Sequence, residues 1–393
     1  MPNYKKVYLK KDKETPLKNQ HRWIFSGAID KADKYEDGEI LQVFSSKNEL
    51  LGHAYMNSKT TIAGRMLNFS NEDPIVSIKK HIKIAFEMRK TLIDTSNTNC
   101  YRIINGENDN IPGLTADLYN EVLVIQISTA GMDRLKPTVL PMLAELFNNK
   151  ISIYEKSSMP SRRIDGLKDS EGWVYGDEKQ KVEVAENGIK FLIDFINGQK
   201  TGFFLDMREM RKLIGQHSKN KKVLNCFSYS GGFSLYALKA GATLVNSVEI
   251  SEQANDLAKT NHQLNGFDYN KNTVFTQDTF DFLKKNSKLD YDIVILDPPA
   301  FAKKKMDIKN ALRRYYELNK QTMSKMNSGS ILLTCSCSYH IPDEAFEKMV
   351  KKAGIDSGKD LKVISKHRMA LDHGINIYHT EFDYLKSLVL YVI

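Results

Sequence analysis

An alternation of strands and helices from about residue 199 onward constrains the fold more than any other feature of the sequence. Short apolar segments typical of strands recur at 222–227, 244–250, 273–276, 292–296 and 330–334. Helical segments separate them, and strands joined by helical crossovers pair in parallel. The pattern therefore predicts an α/β domain with a doubly wound sheet. We assign no helix between the last two strands, 361–364 and 385–392, so we expect them to close one edge as an antiparallel pair.

The first 180 residues follow a different pattern. Residues 1–70 contain about five short runs of β-forming residues separated by turn residues, and these runs predict a small closed β-barrel. Residues 75–92 change to helical spacing. The region 98–180 has the pattern of a strand meander with one helix at 135–147, which we expect Pro137 to open.

The length of 393 residues predicts two or three domains. We divide the chain into a small β-barrel at 1–72, a central α+β domain at 73–185 and an α/β domain at 186–393. The Asn187-Gly188 pair at the second boundary is typical of a hairpin turn. No apolar run approaches the ~20 residues of a membrane helix, and the first residues lack an apolar signal core. These features predict a soluble cytoplasmic protein that does not engage a membrane.

The four cysteines are spread along the chain. Cys100, Cys226, Cys335 and Cys337 form no C-x-x-C pair, and no set of histidines with ligand spacing accompanies them. This arrangement supports neither a disulfide framework nor a metal site. Reduced thiols in a reducing compartment are therefore expected.

Positive charge is concentrated in one segment. The net charge is +9, and residues 303–325 hold eight basic side chains against two acidic ones. Such an excess suits a polyanion such as nucleic acid, although a solvated helix face is an alternative interpretation. The candidate RNA-binding side chains in this segment are Lys303, Lys304, Lys305, Arg313 and Arg314.

Polar and small residues follow the first three strands of the α/β region. In open parallel sheets, ligands bind beyond the carboxyl ends of the strands. The first strand leads into a loop of small residues that lets a ligand approach a helix N-terminus. Glu249 ends the second strand, where its carboxylate can accept both hydroxyls of a ribose, and Asp278 follows the third, where it can meet an adenine edge. The candidate residues of the loop are Phe227, Ser228, Ser230 and Gly231.

The fourth and fifth strands end in groups suited to covalent chemistry. Asp297 precedes Pro298 and Pro299, whose rings stiffen the turn and hold the carboxylate in a fixed pose. Cys335 and Cys337 share one face of the fifth strand, and Cys337 lies further out, nearer the cleft. A cysteine thiolate is a strong nucleophile once nearby positive charge lowers its pKa.

These groups can be assembled into one reaction. C5 of a pyrimidine is a poor nucleophile, but attack of a thiolate at C6 makes C5 enamine-like, so that it can take a methyl group from a sulfonium. A base then removes the C5 proton and the thiol is eliminated. Cys337 would supply the thiol, Asp297 the acidic group at the base edge, and the loops between 225 and 249 the methyl-donor pocket.

Three segments carry a resemblance to a known family. The segments are His21-Arg22-Trp23-Ile24-Phe25-Ser26-Gly27-Ala28-Ile29, Asn105-Gly106-Glu107 through Pro112-Gly113-Leu114 to Asp117, and Asn197-Gly198-Gln199-Lys200-Thr201-Gly202-Phe203-Phe204-Leu205-Asp206 with Arg208. Over nearly its whole length the chain resembles the PUA-domain-containing large-subunit ribosomal RNA methyltransferase I family. These enzymes use S-adenosylmethionine to form 5-methylcytosine in 23S rRNA.

The resemblance implies a fold and a set of roles. We expect a PUA-like barrel, a central α+β domain and a class I, Rossmann-like methyltransferase domain, and relatives suggest a homodimer. Arg22 in the PUA-like segment is a further candidate RNA contact. Cys337 matches the nucleophile position of the family, whereas Cys335 is a departure from it. The residues expected at or near the S-adenosylmethionine site are Phe227, Ser228, Glu249, Asp278, Lys200 and Thr201.

Other functions remain open from the residues. A uracil-C5 or a guanine-N7 RNA methyltransferase could use the same scaffold, although N7 of guanine is already nucleophilic and would need no cysteine. A non-catalytic RNA-binding or ribosome-assembly factor would need only the barrel and the basic segment. That reading leaves Asp297 and Cys337 unexplained, and binding of S-adenosylmethionine would distinguish it from the enzyme.

Overall fold

A computed structural model of the chain describes residues 4–302 and 304–393, which fold as two compact units. Unit 1 comprises the chain up to Asn187 with Ile193–Leu205 and Leu371–Thr380, and unit 2 comprises Gly188–Leu192, Asp206–Ala370 and Glu381–Ile393. Within the described residues, no helix has the length and hydropathy needed to cross a membrane. The three-domain division at 1–72, 73–185 and 186–393 stays a prediction.

Unit 1 begins with a six-stranded sheet. Its strands are β1 Lys5–Leu9, β2 Trp23–Phe25, β3 Ile29–Ala32, β4 Ile40–Phe44, β5 Leu50–Met56 and β6 Ile62–Asn68, and a short helix α1 spans Thr15–Lys18. The order is β2-β6-β5-β4-β1-β3, so the sheet is a half-barrel whose ladder ends at β2 and β3, and the prediction of full closure was wrong. The sequence pattern missed β3 because its charged residues Asp30 and Lys31 are exposed at the edge, where β3 pairs only with β1.

A second sheet of unit 1 has the order β11-β10-β9-β8-β7. Its strands and helices are α2 Pro74–Leu92, β7 Cys100–Asn105, β8 Leu114–Tyr119, β9 Val122–Ile127, α3 Ala130–Glu145, β10 Ser152–Ser157, α4 Pro160–Ile164 and β11 Ser170–Tyr175. The start predicted for α3 was wrong, because Pro137 lies inside the helix. Thr129 caps the true start by accepting a hydrogen bond from the Met132 N–H at 3.3 Å.

A buried ion pair ties the segment Leu371–Thr380 into unit 1. The guanidinium of Arg89 donates to both carboxylate oxygens of Asp109, at 2.6 and 2.7 Å, and to the backbone carbonyl of Asp372 at 2.8 Å. Arg89 is fully buried and Asp109 nearly so. The bond to the Asp372 carbonyl attaches the segment to this pair, and the Asp372 carboxylate also accepts from the Arg102 N–H at 2.8 Å. Breaking the pair would leave an uncompensated buried charge.

Strands β12 Val182–Glu186 and β13 Ile189–Ile193 flank the turn where the chain passes between the units. Asn187 and Gly188 both have positive φ, 49° and 70°, which is the conformation of a type I′ turn and confirms the predicted turn.

Unit 2 is built on a seven-stranded sheet with the order β16-β15-β14-β17-β18-β20-β19. Its strands are β14 Lys222–Cys226, β15 Leu244–Glu249, β16 Asn272–Thr276, β17 Ile293–Leu296, β18 Ile331–Ser336, β19 Leu361–His367 and β20 Lys386–Val392. The helices are α5 Arg208–His217, α6 Gly232–Lys239, α7 Glu252–Leu264, α8 Thr279–Lys285, α9 Ile308–Met323 and α10 Asp343–Asp356. Strands β14 to β18 pair in parallel, and β20 is antiparallel to β18 and β19, as predicted.

The parallel pairing places the carboxyl ends of five strands at one edge of the sheet. The order reverses at β14, which pairs with β15 on one side and β17 on the other. A crevice for a ligand forms at such a switch point, so a ligand of unit 2 is expected at this edge.

Candidate functional site

The loop after β14 has a backbone conformation that bulky residues rarely adopt. Phe227, Tyr229 and Gly231 all have positive φ, at 59°, 46° and 83°. For Phe and Tyr this conformation is uncommon and strained, and it persists only where surrounding contacts enforce it. Contacts within unit 2 hold this form: the Ser228 N–H donates to the Val248 carbonyl at 3.1 Å, and the Gly231 N–H donates to the Ser228 carbonyl at 2.9 Å.

Three buried polar atoms on β14, its loop and β18 lack protein partners. In the part of the chain that the structure describes, Asn225 Oδ1, Ser228 Oγ and Thr334 Oγ1 are buried and lack a hydrogen-bond partner. Each such atom costs about 1–3 kcal/mol. Ser228 lies in the loop itself, so its hydroxyl is the one of the three that a polar ligand bound at this loop would satisfy.

The carboxylate of Glu249 joins two loops at the end of β15. Its Oε2 accepts from the Tyr229 N–H and its Oε1 from the Ser251 N–H, both at 3.0 Å. The side chain is half-buried, and each oxygen keeps a further lone pair. This geometry can accept two adjacent hydroxyls while it holds the loop after β14 in its strained form.

Asp278 caps a helix in addition to its predicted role as a contact of the adenine edge. Its Oδ1 accepts from the N–H groups of Phe280 at 2.8 Å and Asp281 at 3.2 Å, which caps helix α8. The cap fixes the carboxyl group at the end of β16 and leaves Oδ2 available for a ligand donor.

The loop after β17 and the turn after β18 lie against each other. Cys337 Sγ is 3.8 Å from the carbonyl oxygen of Pro298, the residue that follows Asp297. Ser338 Oγ accepts from the Ala302 N–H at 3.2 Å and is 3.0 Å from the Tyr315 hydroxyl. The structure thus brings the thiol of Cys337 and the Asp297 loop together, as the sequence predicts.

The two cysteines of the fifth strand differ in environment. Cys335 has no exposed surface, and burial, with the charge of Asp297 second, raises the pKa of its thiol well above the ordinary value. Cys337 follows the end of β18 and is half-buried. A thiol must ionise and reach its substrate to act as a nucleophile, so the environment favours Cys337.

Lys200 and Thr201 belong to unit 1, whereas the loops described above belong to unit 2. Thr201 Oγ1 donates to Asp117 Oδ2 at 2.6 Å and lies 3.0 Å from the Tyr119 hydroxyl. The Lys200 ammonium lies 4.5 Å above the centre of the Phe204 ring. Their predicted place near the methyl donor stays a prediction.

The predicted RNA-binding residues fall into distinct environments. Lys304 and Lys305 are exposed ahead of α9, and Lys303 lies outside the described residues. Arg313 is exposed and 3.5 Å from Glu317, and Arg314 stacks its guanidinium 4.4 Å from the ring centre of Phe301 in the Asp297 loop. Arg314 therefore places a cation against the Asp297 loop.

Arg22 differs from this group because it is buried. Only 5% of its surface is exposed, its guanidinium donates to the Met66 carbonyl at 2.9 Å, and burial lowers its pKa to about 10. An RNA phosphate could not reach it in this conformation, so the expectation of a direct RNA contact was wrong. Its guanidinium, stacked 5.1 Å from the centre of the Phe69 ring, serves the packing of the half-barrel.

Sequence reasoning missed two residues that shape the thiol site. Ser338 joins the thiol turn to the Asp297 loop, and the ammonium of Lys386 donates to the Ser338 carbonyl at 2.8 Å. Ser338 is adjacent to Cys337 and could have been noticed on that ground. Lys386 lies far along the chain on β20, and no local pattern connects it to the thiol.

Two family models match the chain. Residues 162–356 match a model described as S-adenosylmethionine-dependent methyltransferase, and residues 7–69 match a PUA-like domain. These matches confirm the predicted methyl donor and the predicted fold class: a PUA-like half-barrel, a central domain and a Rossmann-like methyltransferase domain.

Individual proteins resemble the chain over nearly its whole length. A ribosomal RNA large subunit methyltransferase I from Aliivibrio fischeri is 35% identical over 393 residues, covering 98% of this chain and 99% of that protein. Its namesake from Aeromonas salmonicida is 36% identical over 392 residues, covering 98% of each. A structure assigned as a SAM-dependent methyltransferase from Streptococcus mutans has a TM-score of 0.83 at 22% identity, covering 99% of this chain and 100% of that one. The last likeness supports the fold.

Proposed function

This chain belongs to the ribosomal RNA large subunit methyltransferase I family, and on that premise we propose that it methylates C5 of a cytosine in 23S rRNA. The methyl donor is S-adenosylmethionine, and Cys337 is the proposed covalent nucleophile. The proposal joins the donor chemistry of the family to the thiol and carboxylate at the ends of β17 and β18.

The donor site is proposed to lie at the edge formed by β14, β15 and β16. Glu249 would accept the ribose hydroxyls, and Asp278 Oδ2 would accept from the adenine amino group. The buried, unpartnered Ser228 Oγ gives independent support, because a polar ligand there would satisfy it. The remaining proposed donor contacts are Phe227, Ser230, Gly231, Lys200 and Thr201.

The proposed reaction proceeds through a covalent bond to the base. The Cys337 thiolate attacks C6 of the cytosine, and electron density moves to C5. C5 then takes the methyl group that S-adenosylmethionine supplies as an electrophile. A base removes the C5 proton, and the bond between sulfur and C6 breaks to release the thiolate.

A carboxylate from Asp297 at the base edge would favour cytosine over uracil. A carboxylate accepts a hydrogen bond from the exocyclic amino group of cytosine, whereas uracil presents a carbonyl oxygen at the same position. The distance of 3.8 Å between Cys337 Sγ and the Pro298 carbonyl is the observation that carries the proposal, because it puts thiol and carboxylate loop at one site. Neither a guanine-N7 methyltransferase nor a non-catalytic factor would require a thiol next to a carboxylate.

Trapping with 5-fluorocytosine tests the proposal. RNA that carries this base at the target should form a covalent adduct with the enzyme, because fluorine cannot leave as the C5 proton does. The wild type and Cys335→Ala should form the adduct, and Cys337→Ala should not while still binding S-adenosylmethionine. Cys335→Ala is the matched control, since it removes a thiol two residues away.

Other results of these experiments would change the assigned nucleophile or the assigned base. An adduct through Cys335 would reverse the choice of nucleophile, and normal methylation without any adduct would reject covalent catalysis and favour guanine-N7. Mass spectrometry of rRNA nucleosides from a strain lacking this protein identifies the base. Loss of 5-methyluridine in place of 5-methylcytosine would favour the uracil-C5 alternative.

A further inference from the structure

The register of β18 and β20 places a lysine beside the thiol turn. Lys386 opens β20 and pairs with Ser336, the last residue of β18, while the next pair joins Ser387 with Cys335. Cys337 immediately follows Ser336. The pairing of the two strands therefore places a lysine opposite the last residue of β18, one residue before Cys337.

Backbone contacts hold the Lys386 ammonium at this place. Nζ donates to the carbonyl oxygens of Ser338 and Tyr384, both at 2.8 Å. Only 6% of the residue is exposed. An ammonium has three donors, so these two bonds leave a third, and they fix the charge at the carbonyl of Ser338, the residue after Cys337.

The charged groups around Lys386 do not neutralise it directly. In the described part of the chain, no carboxylate lies within 4 Å of its Nζ. Asp343 at the start of α10 and Asp383 before β20 are the nearby acids, and both are engaged by the guanidinium of Arg368. Burial lowers the pKa of the ammonium, Arg368 lowers it further, and Asp343, Asp383 and Cys337 oppose that shift.

A buried cation without a paired carboxylate is costly and gains from an anion placed next to it. The thiolate form of Cys337 is such an anion, and the neutral thiol is not. The ammonium therefore favours ionisation of Cys337, which is the form that attacks C6. Cys335 gains less, because its thiol is fully buried and burial raises its pKa.

We propose that Lys386 is a positioning residue that stabilises the thiolate of Cys337 and holds the turn that carries it. The inference rests on the proposed function in taking Cys337 as the nucleophile. Its chemistry is tested without RNA or methyl donor, through the rate at which Cys337 reacts with iodoacetamide. Cys337 is the half-buried one of the four cysteines, so it dominates the alkylation.

The experiment measures alkylation of the Cys337 peptide by mass spectrometry between pH 5 and pH 10. In the wild type, the midpoint of the rate should lie below the ~8.5 of an ordinary cysteine. Lys386→Met should slow alkylation at pH 7 by about tenfold or more, because an adjacent opposite charge shifts ionisation by about 1–3 pH units. Lys386→Arg should keep the low midpoint, since it keeps the charge.

Lys359→Met is the matched control. Lys359 is a half-buried lysine that donates to the Met326 carbonyl at 2.8 Å, away from the thiol, and its loss should leave the midpoint unchanged. A wild-type midpoint at or above ~8.5 would overturn the inference even if Lys386→Met does not fold. So would an unchanged midpoint in a folded Lys386→Met.

The 5-fluorocytosine assay separates this inference from the proposed function. If the adduct forms but alkylation does not depend on Lys386, the positioning role fails and covalent catalysis stands. If alkylation depends on Lys386 but no adduct forms, the thiolate is stabilised and the assignment of the reaction fails.

Discussion

Replacing Glu249 with alanine tests the donor site most directly. The carboxylate is the proposed ribose acceptor, and it also restrains the loop after β14 through the N–H groups of Tyr229 and Ser251, both at 3.0 Å. The substitution removes all of these interactions together. We expect binding of S-adenosylmethionine to weaken while the seven-stranded sheet remains folded.

The magnitude follows from the bonds that are lost. A hydrogen bond to a charged group contributes about 1.5–3 kcal/mol, and about 1.4 kcal/mol corresponds to a tenfold change in affinity. Loss of the ribose contact alone therefore weakens binding by about tenfold or more. Release of the Tyr229 N–H adds to this loss, because Tyr229 has a φ of 46° and the loop can relax once the bond is gone.

Titration calorimetry with S-adenosylmethionine measures the effect, and circular dichroism checks the fold. Glu252→Ala is the matched control, since it removes the same charge from an exposed position in the first turn of α7. Glu249→Gln should fall between wild type and Glu249→Ala, because one acceptor oxygen remains. Equal affinities for Glu249→Ala and Glu252→Ala would refute the assignment of the donor site to Glu249.

Three further predictions concern RNA binding, stability and pH. Neutralising Lys304 and Lys305 should lower RNA affinity and reduce its salt slope by about 0.7–0.9 per lost phosphate contact, without changing donor binding; an unchanged slope would mean a solvated surface. Arg89→Met should lower the free energy of unfolding in urea by about 3–5 kcal/mol, because Asp109 stays buried without its cation, and adding Asp109→Leu should recover part of the loss. Burial lowers the pKa of His81 to about 4, so the unfolded chain binds a proton more readily than the folded chain. Stability should therefore decline as pH falls from about 6.5 toward 4, and His81→Gln should lessen that decline.

Much of the fold follows from patterns a few residues long. The strand and helix alternation predicted the doubly wound sheet of unit 2, because a parallel sheet needs long crossovers and the chain shows them. The lack of a predicted helix between the last two strands predicted its antiparallel edge. The errors arose where tertiary contacts override local preference. Pro137 lies inside α3 because Thr129 caps an earlier start of the helix. Strand β3 forms despite its charged residues because it pairs with β1 at the edge of the sheet, where those side chains stay exposed.

Some residues of the candidate site could be found from the sequence, and the environment of others could not. Glu249 and Asp278 could be picked out because they end strands, and in a parallel sheet all such ends meet at one edge. The preference for Cys337 over Cys335 as nucleophile was also open to sequence reasoning, since side-chain alternation puts Cys337 further out. The burial of Arg22 could not be foreseen, because it depends on the carbonyl of Met66 and the ring of Phe69, more than 40 residues away.

The sequence by itself determined most of the elements and the chemical groups that stand at the ends of the parallel strands. Both depend on residue spacing over a few turns or strands, which is local information. The tertiary structure alone decided that Lys386 lies beside the Cys337 turn and that Leu371–Thr380 packs in unit 1. These neighbours depend on strand order and register, which are set by the burial of whole sheet faces, so residues far apart along the chain become adjacent without any signal in the sequence around them.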